Sequence, residues 1–116
     1  MVKIGKKKAG IPLTYGQYAV DRTSPLGNPY PMTTKSSEER DKVCDAYDEY
    51  FQREILGKRP KRAWEYLCML LERALTGDVE LMCWCHPQRC HAETIKSWLD
   101  EQVSLERQRE MISAGE

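Results

Sequence analysis

Val79-Glu80-Leu81-Met82-Cys83-Trp84-Cys85-His86-Pro87-Gln88-Arg89-Cys90-His91 reads as a strand that turns into a helix, and this reading decides the fold class. Val79–Trp84 is short, follows a Gly-Asp turn and is mostly apolar, as expected of a strand buried inside a sheet. Cys85–Arg89 is the turn. From about Cys90 a helix is expected, with Ile95, Trp98, Leu99 and Val103 at core spacing. Upstream, Ala63, Trp64, Leu67, Leu71, Ala74 and Leu75 line one face of a helix that starts near Pro60 and stops at Gly77. Before it, Ser36 or Ser37 caps a helix with Glu38, Glu39 and Asp41 in its first turn. Val43, Ala46, Tyr47, Tyr50 and Phe51 form its apolar face, and Gly57 ends it.

The first third of the chain reads differently. Val2–Ile4 and Tyr18–Asp21 are short strand candidates, and Gly10, Pro12 and Gly16 mark a loop between them. Thr23-Ser24-Pro25-Leu26-Gly27-Asn28-Pro29-Tyr30-Pro31 carries three prolines and a Gly-Asn-Pro step, so it forms a stiff loop of one shape. Strands, two helices, a strand and a helix make a small Rossmann-like α/β layer domain, with a short, mainly parallel sheet and about three helices. Residues 1–100 form that domain, and 101–116 a charged helical extension whose end frays.

Composition narrows the function classes. A chain of 116 residues closes one core and is too short for two domains or a full eight-stranded β/α barrel. Eighteen basic and eighteen acidic side chains cancel, which argues against binding to nucleic acid through bulk charge. Six of the basic residues (Lys3, Lys6, Lys7, Lys8, Arg22, Lys35) fall in the first 35 positions, beside Asp21 alone; a solvated arm is the simplest reading. The basic run Lys58–Arg62 reads the same way, as a linker. No apolar run approaches the ~20 residues of a membrane span, and no secretion signal follows the basic N-terminus. Five cysteines, three of them within eight residues and next to histidine, point to thiol or metal chemistry in a reducing cytoplasm. Cys44 and Cys68 read as small core residues.

Three chemistries fit Cys83, Cys85, Cys90 and His91. Thiolate and imidazole are the ligands zinc prefers, and these four would complete a tetrahedron. Alternatively one thiol is a nucleophile: Cys90, at a helix start, is placed for a lowered pKa, with His91 or His86 as base. Cys83 and Arg89 also match the Cys-x5-Arg spacing of a phosphate-cradling loop. Finally, the thiols can be packing residues at a buried strand end.

Cys83-Trp84-Cys85-x-Pro87-x-x-Cys90-His91, with the upstream step Gly27-Asn28-Pro29-Tyr30, resembles a small phage and bacterial family known as domain of unknown function number 4326. Arg22 before that step, and Arg40 and Tyr47 on the first helix, extend the resemblance over residues 2–100; Arg89 and the tail after Asp100 stand outside the pattern. The resemblance implies that the Gly-Asn-Pro loop and the Cys-His segment belong to one site. Arg22, Gly27, Asn28, Pro29, Arg40 and Cys83 would bind the ligand, and Cys85, Cys90 and His91 would be catalytic. By fold analogy the ligand is nucleotide- or nucleobase-like. The alternatives are a phage-encoded interaction or inhibitor protein in which the segment only staples the fold, with or without zinc, and a zinc-stabilised nucleic-acid module. The neutral charge speaks against the latter.

Overall fold

The computed structural model describes residues 1–34 and 36–114. Lys35 of the basic arm and residues 115–116 of the expected extension lie outside the described residues. The described residues form a three-stranded sheet and three α-helices. Strands β1 (Val2–Lys6) and β2 (Gln17–Ala19) both pair in parallel with the central strand β3 (Val79–Cys83), giving the order β1-β3-β2. Ile4 and Tyr18 both lie opposite Leu81 in the register. The mostly apolar run predicted a central strand, and β3 is indeed buried along almost its whole length.

Helix α1 (Ser37–Tyr50) starts at Ser36, whose hydroxyl accepts the Glu39 N–H. It continues without a break as a π-helical turn over Phe51–Leu56, closed by the Gly57 N–H donating to the Gln52 carbonyl at 3.0 Å. The wider turn keeps Cys44, Tyr47, Phe51 and Ile55 on one buried stripe. Helix α2 (Lys61–Thr76) follows Pro60, and helix α3 (Ala92–Ala114) closes the described chain. Helices α2 and α3 pack on the sheet and on each other. The core joins Val2, Leu26, Leu67, Leu70, Leu81, Ile95 and Leu99 to the α1 stripe.

Some expected details differ. Leu70, not Leu71 or Leu75, completes the α2 core face; Leu75 is 41% exposed. Both faces keep three- and four-residue steps, and the packing of α2 on the sheet and on α3 selects Ala63, Leu67, Leu70 and Ala74. Cys68 lies off that stripe and is exposed, so it is not a core residue, whereas Cys44 is buried. The third helix begins at Ala92, leaving Cys90 and His91 ahead of its first turn. The basic linker is engaged locally: Lys58 pairs with Glu54 at 2.8 Å and Arg59 lies 4.5 Å over the Trp64 ring.

Candidate functional site

All three parallel strands end along one edge, where the chain leaves a crevice. One further residue continues each outer ladder: the Lys7 N–H donates to the Cys83 carbonyl (2.8 Å) and the Val20 N–H to the Met82 carbonyl (3.0 Å). The next side chains meet. Buried Asp21 accepts from Lys7 Nζ and from Trp84 Nε1, both at 2.8 Å, and from Thr23 through its N–H and hydroxyl. Lys7 also sits 5.3 Å above the half-exposed Trp84 ring. Burial opposes ionisation of Asp21, but the Lys7 and Thr23 bonds outweigh it and hold the carboxyl below its usual range. Sequence reasoning passed over Lys7, Asp21 and Trp84 as a group. The available signal was that Asp21 and Trp84 end strand candidates and Lys7 lies just beyond another.

The Gly-Asn-Pro loop is held from both sides. Arg22 donates to the carbonyls of Asn28 (3.2 Å) and Tyr30 (3.1 Å). Asn28 folds its side chain back, accepting the Tyr30 N–H at 2.9 Å, while its amide nitrogen lies 3.5 Å from the Val43 carbonyl on α1. The Tyr47 hydroxyl donates to the Leu26 carbonyl at 2.7 Å inside the core. Gly27 passes so close to the preceding turn that a Cβ would stand 2.5 Å from Arg22 Cα and 2.7 Å from the Asp21 carbonyl oxygen. Asn28 therefore shapes the loop, and Gly27 lets it pass. Pro29 is exposed and, like Gly27, does not line the cavity described below.

Cys83 and Cys90 come from different elements and meet with their sulfurs 3.0 Å apart. Cys90 caps α3: its sulfur accepts the Ala92 N–H at 3.4 Å, and Glu93 reaches back to the Cys90 N–H at 2.9 Å. Cys90, the thiol expected to be acidic, is shifted the other way. Hydrogen bonding to Cys83 and burial push Cys90 upward. Cys83 is lowered to about 6, by the Cys90 thiol against the cost of burial, with help from the Cys85 and His86 N–H groups. The 3.0 Å contact thus couples the two thiols, so that ionising one opposes ionising the other.

His91 Nε2 lies 2.5 Å from the Val20 carbonyl oxygen. A carbonyl only accepts, so Nε2 carries the hydrogen, and bare Nδ1 faces Cys90 Sγ at 3.6 Å. Burial keeps the ring neutral despite that carbonyl, and the ring meets Tyr47 edge-on at 4.8 Å. Cys85 is half-buried at the cavity wall. Among the described residues, no three His, Cys, Asp or Glu side chains converge in a way that would hold a metal ion. Arg89 does not serve a phosphate loop: Asp41 (3.1 Å), Asp45 (2.8 Å) and Asp48 (3.7 Å) of α1 surround its guanidinium.

These pieces enclose a cavity of about 420 Å³. Cys83, Cys85, Cys90 and His91 line it together with Arg22, Asn28 and Arg40, and Tyr30, Pro31, Met32, Val43 and Trp84 add apolar wall. The two motifs of the sequence thus face one space. Arg40 donates to the Arg89 carbonyl at 3.4 Å, and among the described residues neither Arg22 nor Arg40 has a carboxylate within salt-bridge distance. Residues 4–101 match the model of a family described as a domain of unknown function (DUF4326). No curated protein and no solved structure matches the chain.

Proposed function

Because the chain belongs to the DUF4326 family, whose description assigns no activity, we propose a role from the cavity: it binds a small nucleotide-like anion at the sheet's carboxyl edge. One observation carries this reading. Among the described residues, Arg22 and Arg40 face the cavity without carboxylate partners, while Arg89 on the same wall is neutralised by three aspartates. Guanidinium groups suit phosphate or carboxylate oxygens through paired N–H donors. The Tyr30 and Trp84 rings, with Met32 and Val43, supply flat apolar wall for a base. A volume of about 420 Å³ is at the small end of ligand pockets, suited to a mononucleotide rather than a dinucleotide. Cys83 lines the same cavity.

Thermal shift with nucleoside 5′-monophosphates, the matching nucleosides and inorganic phosphate tests the reading. A monophosphate present at a hundredfold excess over its Kd stabilises by ~2.7 kcal/mol, which raises Tm by several degrees. The nucleosides should act more weakly, and Arg40→Ala should remove the difference. If no monophosphate moves Tm, or if Arg40→Ala responds like the parent protein, the reading is wrong.

A further inference from the structure

The cavity floor carries chemistry that anion binding does not use. Cys83 ends β3 and Cys90 caps α3, and the turn between them brings their sulfurs to 3.0 Å, about 1 Å longer than a disulfide bond. Packing alone has no need of such an approach. The N–H groups of Cys85 and His86 face the Cys83 sulfur. The bare Nδ1 of His91 lies 3.6 Å from the Cys90 sulfur, in place to take its proton. Cys83 and Cys90 are only 1% and 2% exposed, yet both line the cavity. Such burial leaves a bulky disulfide no straight approach to either sulfur, so the reactant that suits the pair is one of only a few atoms.

We infer that Cys83 and Cys90 form a dithiol that reduces small hydroperoxides, with Cys83 attacking and Cys90 resolving. The Cys83 thiolate sulfur bonds to the terminal peroxide oxygen and the O–O bond breaks. The alkoxide, or hydroxide from hydrogen peroxide, leaves and takes a proton from solvent. Cys83 is then a sulfenic acid. Cys90 passes its proton to His91 Nδ1 and attacks the Cys83 sulfur. The S–S bond forms, the S–O bond breaks, and the departing hydroxide takes the proton from His91 as water. The two sulfurs lose two electrons, and one peroxide becomes one alcohol and one water. A small thiol such as dithiothreitol returns the pair to the reduced state. This inference goes beyond the anion-binding reading and does not depend on it.

The test uses the full chain, reduced, with equimolar hydrogen peroxide. Peptide mapping should find a Cys83–Cys90 disulfide and a mass lower by two hydrogens, formed before the exposed Cys68 is oxidised. In Cys90→Ser, a sulfenic-acid trap should label Cys83; in Cys83→Ser, neither the disulfide nor the label should form, while Cys68→Ser, on the exposed face of α2, should behave like the parent. Oxidation of Cys68 first, pairing of Cys83 with Cys85, or a full equivalent of zinc that protects the thiols would each overturn the inference. The measurement on the parent chain decides the matter even where a variant fails to fold. Nucleotide thermal shifts on the reduced protein report separately on the anion site.

Discussion

At the scale of single residues, the site depends on atoms that leave no room for alternatives. Gly27 is the sharpest case, because a Cβ there would strike backbone on both near sides rather than a movable side chain. Gly27→Ala should lower stability by about 1–3 kcal/mol in urea unfolding. Gly77 is the control: nothing lies within 4 Å of its added Cβ and its backbone is extended, so Gly77→Ala should instead gain ~0.4–1 kcal/mol. The thiol pair makes a second residue-scale prediction. Thiolate absorbance should rise as pH climbs through about 6, because Cys83 loses its proton there. Cys83→Ser should abolish that step. Cys90→Ala should move it to higher pH, since the thiol that stabilises the Cys83 anion is gone. The Cys-His segment was legible as chemistry because sulfur and imidazole are crowded into nine residues. Which thiol ionises was not legible, because it depends on the contact that tertiary folding makes between Cys83 and Cys90, both of them buried.

At the scale of elements, helix ends do the positioning. Glu93 reaches back to the Cys90 N–H and so fixes the residue that carries one sulfur of the pair. Glu93→Ala should cost ~1 kcal/mol of stability in denaturant unfolding, with no change in the folded far-UV spectrum. The existence of all three helices could be read from periodic apolar residues and from Ser36, Gly57, Pro60 and Gly77 near their ends. Their exact faces could not. Leu70, Leu71 and Leu75 are equally apolar, and only the position of α2 against the sheet and α3 selects Leu70 for burial. The π-helical turn at Phe51–Leu56 has no sequence mark, because Tyr47, Phe51 and Ile55 keep the four-residue steps of an ordinary helix. Arg89 illustrates the same limit. Its spacing from Cys83 suggested a phosphate loop, but three aspartates at three- and four-residue steps along α1 face it once the helix is docked.

At the scale of the whole molecule, everything passes through β3. Among the described residues both outer strands pair only with it, and its carboxyl end delivers Cys83 and Trp84 to the cavity. Leu81, fully buried at its centre, should therefore be among the costliest single truncations: Leu81→Ala should lose about 2–5 kcal/mol, read as a lower urea midpoint with an unchanged slope. No helix among the described residues is long and apolar enough to cross a membrane. By itself the amino-acid sequence determined the α/β class, the central strand, the three helices and the two motifs, because each is written in neighbouring residues through hydrophobic period, caps and turn formers. Only the tertiary structure decided the Lys7–Asp21–Trp84 cluster, the loop-building role of Arg22 and Asn28, the neutralised Arg89 and the meeting of Cys83 with Cys90. Each of these joins residues from separate elements, and such pairings follow from how the layers pack rather than from any local pattern.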